Sequence, residues 1–182
     1  MNTTIDKKEI EFFSNLSKHW WDLDGPLGSL HKLADVRIEF ILRNITRINQ
    51  KSRILPLQYL KCIDVGCGGG ILSERLKRLG GNITGIDTSK EAIDVANAHA
   101  KKGKLEINYE YISTSKFLKK YNNLKFDVVI ASEVIEHVND RSKFLSDLSN
   151  LLKDGGLIII TTLNKSFPSI MLAKIFAENI LK

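Results

Sequence analysis

Long apolar runs are missing from this chain: no stretch approaches the roughly 18 residues that a membrane-spanning helix needs. Cysteine is scarce. The two thiols, Cys62 and Cys67, match no zinc spacing and no secreted disulfide framework, which points to a reducing cytoplasm. The N-terminus, MNTTIDKKEIEF, has mixed charge and no apolar centre, so it does not read as a signal peptide. Charge of one sign is not concentrated either. The net charge of +6 (27 basic against 21 acidic) is scattered, and nothing in it calls for a nucleic-acid partner. Internal repeats and low-complexity tracts are absent. What remains is an ordinary soluble composition, 43% apolar and 26% charged, over 182 residues, enough for one compact unit with a real core.

The patterned residues begin with helices. Residues 6–21 carry Ile10, Phe13, Leu16 and Trp20 at helical spacing, DLDGPLGSL reads as a turn-rich loop, and 32–48 reads as a second helix. From residue 60 the pattern alternates. LKCIDV, NITGID, LEINYEYI, FDVVIAS and GLIIITTL read as strands. Between them, ILSERLKRLG closes at Gly80 and Gly81, TSKEAIDVANAHAKK opens on a Thr88–Glu91 capping box, and 141–152 reads as a further helix. Apolar strands joined by helices predict an α/β fold with a mostly parallel sheet flanked by helices.

Between the first strand and its helix stands DVGCGGG, Asp64 to Gly70, with four glycines. Glycine costs a helix about 1 kcal/mol relative to alanine, so a cluster at a strand-to-helix turn needs a reason. Backbone amides that approach a ligand closely supply one. A dinucleotide fingerprint fails because Ile71 occupies its sixth position, and no G-K-[ST] marks a phosphate loop. The pattern present is D-x-G-x-G-x-G, over Asp64, Gly66, Gly68 and Gly70. The second strand ends at Asp87, 21 residues beyond Gly66, where a carboxylate can accept both hydroxyls of a ribose or simply cap the next helix. A nucleoside ligand without a pyrophosphate fits best. The fourth strand delivers SEVIEHV. On one helical turn Glu133, Glu136 and His137 share a face, able to hold a divalent ion, to take a proton from a hydroxyl, or only to be solvated.

The glycine turn with its acidic partner resembles the S-adenosylmethionine site of Rossmann-like class I methyltransferases. The stretch FFSNLSKHWWDLDGPLGSLHKLADVR is more specific: it resembles the N-terminal signature of the ubiquinone-biosynthesis O-methyltransferases, W-W-D followed by L-H-x-x-N-P-x-R. Trp20, Trp21, Asp22, Leu30, His31 and Arg37 match; Ala34 and Asp35 replace the family's Asn-Pro. Thr161 to Leu181 also resembles that family's segment after the fifth strand.

The resemblance implies a helical cap for substrate and cofactor over 1–50 and a Rossmann-like cofactor domain over 51–182, lacking its last strands. It implies cofactor contacts at Arg37, Asp64, Gly66, Gly68, Asp87 and Ser132, with Arg37 reaching the methionine carboxylate. His31, His137 and Glu133 become candidates for catalysis, and Glu133, Glu136 and His137 for Mg²⁺. The reaction implied is methyl transfer to a ring hydroxyl of a polyprenylated phenol or quinol. The apolar arc of 170–182 suggests peripheral contact with the inner face of the membrane, or packing on the core. The family also suggests association with other proteins of that biosynthesis. Methyltransferases of this fold continue beyond five strands, so GLIIITTL is expected at a sheet edge, the chain a fragment or completed by another chain. A methyltransferase for another small phenol, or a non-catalytic cofactor-binding subunit, stands as the alternative.

Overall fold

A computed structural model describes residues 19–45 and 54–162. The helix read over 6–18, the end of the second helix, the boundary at residue 50 and the terminal amphipathic segment lie outside these residues. Residues 19–21, read as the end of the first helix, form a tight turn in which the Asp22 amide donates to the His19 carbonyl.

The elements follow in order: α1 Gly28–Ile45, β1 Lys61–Val65, α2 Ile71–Arg78, β2 Asn82–Asp87, α3 Lys90–Lys102, β3 Asn108–Tyr111, α4 Thr114–Lys120, β4 Phe126–Ser132, a 3₁₀ turn Ile135–His137, α5 Arg141–Leu151 and β5 Leu152–Thr161. Among the described residues five strands make one parallel sheet in the order β3-β2-β1-β4-β5, with β5 at its edge. Alternation along the strands sorts the core onto two faces. Ile63, Val65, Val129 and Ala131 pack under α4 and α5, against Phe117, Phe144 and Leu148. Cys62, Val128, Ile130 and Ile159 face α1 and α2, against Ile41, Ile45, Leu72 and Leu76. The class of fold read from the sequence is the one found.

Boundaries moved where backbone groups found other partners. α1 starts at Gly28 rather than residue 32, the amides of Gly28 and Leu30 bonding back to Gly25 and Leu27. That extra turn puts Leu30 on the same face as Ala34 and Arg37. The third strand begins at Asn108 because the Leu105 amide donates to Ala100 and finishes α3. α3 is capped by Ser89, whose hydroxyl accepts from the Ala92 amide, and not by Thr88. α4 went unread. β5 begins at Leu152, directly after α5, and a bulge between Phe126 and Val128 of its partner absorbs the glycines that follow.

Candidate functional site

The strand order reverses between β1 and β4, and a cavity of about 330 Å³ opens beyond the carboxyl ends of those strands. That volume suits a small molecule. Its wall includes Asp64, Gly66 and Gly68 after β1, Asp87 after β2, Ser132, Glu133, Glu136 and His137 after β4, and Arg37 from α1. One pocket thus gathers every cofactor candidate read from the sequence.

The glycine turn is fixed by its backbone. Gly66 and Gly68 hold φ of 74° and 52°, a region that side chains rarely adopt. Space is closed to them as well: a Cβ on Gly66 would stand 2.4 Å from Val134, and one on Gly68 2.4 Å from the Trp20 ring. The amides of Gly66 and Cys67 both donate to the Ile86 carbonyl, at 2.8 and 3.1 Å. Trp21 Nε1 donates to the Gly69 carbonyl at 3.0 Å and stacks on His99 at 3.4 Å, so the tryptophan pair clamps the turn from above.

Two acids brace it from below. Asp87 accepts from the Gly68 amide at 2.9 Å through Oδ2 and from the Ser89 amide at 2.8 Å through Oδ1. Burial pushes its carboxyl up, and those amides pull it back. Asp64 is fully enclosed; burial pushes it up to about 6, against the Ser73 hydroxyl that donates to it at 2.6 Å.

The β4 side is held differently. Glu133 is a non-glycine residue at φ 55°, its amide donating to the Thr161 carbonyl at 2.8 Å. Its carboxylate meets Arg37 at 3.1 Å across the cavity, both side chains less than one-fifth exposed. Ser132 Oγ and Thr161 Oγ1 lie 2.8 Å apart, and Thr162 Oγ1 donates to Glu136 at 3.1 Å.

The helical face expected for Glu133, Glu136 and His137 does not form. Glu133 is left-handed and the 3₁₀ turn begins only at Ile135, so the i, i+3, i+4 phase is broken. Among the described residues no three His, Cys, Asp or Glu side chains gather closely enough to hold a metal ion. As arranged, these residues do not fit Mg²⁺.

His31 stands apart from its expected place. It does not line the cavity; it is buried, with Nε2 2.8 Å from the Trp20 carbonyl and its ring edge-on to Trp21. It supports the tryptophan clamp. Asp35, one of the two departures from the signature, pairs with Arg75 at 3.1 Å. The unbroken α1 explains how Asn-Pro can be replaced: Asp35 supplies the helical amide that proline lacks.

A sequence profile described as a methyltransferase domain matches residues 63–160. The ubiquinone biosynthesis O-methyltransferase of Pelagibacter ubique is 45% identical over 180 residues, covering 98% of this chain and 74% of its own length. That of Colwellia psychrerythraea is 41% identical over 182 residues, covering 98% and 72%. The chain belongs to the ubiquinone biosynthesis O-methyltransferase family.

Solved structures similar to this member of the family agree on the fold. Magnesium protoporphyrin IX methyltransferase from Synechocystis with bound S-adenosylhomocysteine (SAH) has a TM-score of 0.67 at 19% identity, covering 92% of this chain and 74% of that one. The plantazolicin methyltransferase in complex with SAH has 0.63 at 22%, covering 93% and 64%.

The cavity of this O-methyltransferase suits an adenosyl ligand on its own geometry. Glycines whose Cβ would collide let a flat nucleoside approach the backbone, Asp87 keeps a lone pair on each oxygen for hydroxyls, and Arg37 is a planar donor. Sequence reading named Leu30 only as a match to the signature and missed Leu33; with Ala34 and Arg37 these form one face of α1 over the cavity. It also missed Thr114 at the start of α4. The helical spacing of 30, 33, 34 and 37 carried the first signal; α4, at seven residues, carried almost none.

Proposed function

We propose that this chain is an S-adenosylmethionine-dependent O-methyltransferase of ubiquinone biosynthesis, acting on ring hydroxyls of polyprenylated phenol or demethylubiquinol intermediates. The observation that carries the reading is 45% identity, over 98% of the chain, to an enzyme of that name. The cavity, with its glycine cradle and Asp87, supports it.

When bound, S-adenosylmethionine supplies a methyl group already activated on a sulfonium. The chain's residues have the work of alignment and proton removal. Gly66 and Gly68 admit the nucleoside, Asp87 takes the ribose hydroxyls, and Ser132 bounds the methyl side. His137 lines the cavity and serves as the proton acceptor: an imidazole nitrogen takes the phenolic proton as the ring oxygen takes the methyl. His31, buried beneath the tryptophans, has a positioning part. No step needs the acidic residues as a metal set.

Residues 1–50 are taken to cap a cofactor unit over 51–182, with Leu30 and Leu33 roofing the pocket. The enzyme is proposed to work in the cytoplasm, to touch the inner face of the membrane through 170–182, and to associate with other enzymes of the same biosynthesis. Among the described residues no helix is long and apolar enough to cross a membrane.

The test is labelled S-adenosylmethionine with a short-tail demethylated quinol, with and without Mg²⁺. Labelled methyl ether is expected, with kcat about 100-fold lower in His137→Gln at unchanged SAH affinity. Cofactor binding without turnover would refute the enzyme reading. Retention on anionic liposomes, lost in Phe176→Glu, is expected for the membrane contact; retention unaffected by that change would count against it.

A further inference from the structure

The glycine turn is reached twice from α3, once from each end of that helix. At its start, Ser89 caps the helix and gives its amide to Asp87 Oδ1, while Asp87 Oδ2 takes the Gly68 amide. In its last turn, His99 lies flat on Trp21, with ring centroids 3.4 Å apart and planes 4° from parallel. Trp21 Nε1 then donates to the Gly69 carbonyl. The two routes land on neighbouring residues, Gly68 and Gly69. They close a circuit that runs from Gly68 through Asp87 and Ser89, along α3 to His99, and back through Trp21 to Gly69. A helix is a stiff strut, so this circuit sets the glycine turn against Asp87.

The link that closes it is held by a carboxylate that no step of the chemistry uses. Glu74 stands in the first turn of α2 with its side chain only 3% exposed, and its Oε1 lies 2.7 Å from His99 Nδ1. Arg78 reaches its other oxygen at 3.8 Å. An acid in a first helical turn suits the helix dipole, but an exposed one would serve as well. Stability does not explain it either, because apolar residues of similar size commonly equal or better a buried polar pair. Orientation does. A carboxylate bonded to Nδ1 fixes the imidazole plane, and that plane fixes the indole stacked on it. Glu74, His99 and Trp21 stand outside the cavity wall, but Trp20 is part of it. The Trp20 ring lies 2.4 and 2.5 Å from where a Cβ on Gly68 or Gly69 would stand, so turning Trp21 would disturb both the wall and the turn.

We propose that His99 and Glu74 are positioning residues for the adenosyl ligand, holding the glycine turn in register with Asp87 through Trp21. The inference rests on the reading of this cavity as the S-adenosylmethionine site. It confines the effect of the pair to cofactor affinity, at the nucleoside end, and leaves methyl transfer itself untouched.

The test combines titration calorimetry on the full chain with labelled-methyl turnover and thermal denaturation. Its two probes are SAH and 5′-methylthioadenosine, which lacks the amino-acid end. His99→Gln keeps a donor for Glu74, so the buried carboxylate stays paired while the ring over Trp21 is lost. It should weaken both probes about tenfold and by the same factor, raise the cofactor KM to match, and leave kcat at saturating cofactor unchanged. Glu74→Leu should weaken both in the same way; Glu74→Gln, which keeps an acceptor for Nδ1, should recover most of the affinity. On a Trp21→Leu background, His99→Gln should add nothing further. A lowered melting temperature with SAH affinity unchanged would make the pair purely structural and overturn the inference. So would a loss confined to SAH, or additive losses from His99→Gln and Trp21→Leu. If the wild-type chain binds neither probe, the cofactor reading itself falls.

Discussion

The two long walls of the cavity are built by different means. The wall made by β1, β2 and the glycine turn is locked by backbone amides: Gly66 and Cys67 to Ile86, Gly68 and Ser89 to Asp87. The wall after β4 has one such bond, from the Glu133 amide to Thr161, and is otherwise tied by side chains: Glu133 to Arg37, Ser132 to Thr161, Thr162 to Glu136. Backbone bonds fix a surface to a fraction of an ångström and leave few alternatives. Side-chain pairs can open and re-form around a ligand. The first wall suits the constant part of a ligand and the second the part that must be gripped and released.

The largest effect should come from breaking the rigid wall. Gly68→Ala meets both a left-handed φ that alanine disfavours and the buried Trp20 ring, so a stability loss of about 3 kcal/mol is expected in urea denaturation, with SAH binding falling more than tenfold. Unchanged denaturation would show that the tryptophan clamp is loose.

The next concerns the buried acid beneath that wall. Asp64 holds its proton to about 6 when folded, against an ordinary 3.8 for the free side chain. Unfolding below that range releases no proton, and unfolding within it releases one. Stability from this group is therefore present at low pH and lost as pH rises through about 6, by on the order of 2–3 kcal/mol. Asp64→Asn lacks that loss, so its stability relative to wild type should rise between pH 4 and pH 7. A difference that stays flat with pH would mean that Asp64 is better solvated than its enclosure implies.

The smallest change tests the adaptable wall. Ser132→Ala removes one hydroxyl bond to Thr161 and should cost about 1 kcal/mol in thermal denaturation. A larger loss in thermal denaturation would make this wall as rigid as the other.

The two walls also differed in how far they could be read from the sequence. Glycine at a strand-to-helix turn has a local cause, a φ that other residues avoid, so DVGCGGG and Asp87 announced their wall directly. SEVIEHV carried a spacing argument that assumed a helix, and a single left-handed residue, Glu133, broke it. His31 shows the same limit. Nothing in L-H-x-x says whether a histidine faces a pocket or props up Trp20 from behind. The capping box put the start of α3 at Thr88, and the structure gives the cap to Ser89 instead, whose amide is bonded by Asp87.

The sequence by itself determined the alternation of strands and helices, the glycine turn and its acid, and through the W-W-D and L-H signatures the family. These rest on periodicity and on residue types with a single conformational use. Only the tertiary structure decided that Arg37 meets Glu133, that Glu133, Glu136 and His137 do not assemble, and that the tryptophans clamp the glycines. Each depends on side chains from distant elements meeting across the end of a sheet. Arg37 and Glu133 lie on α1 and beyond β4, and no local pattern records that distance.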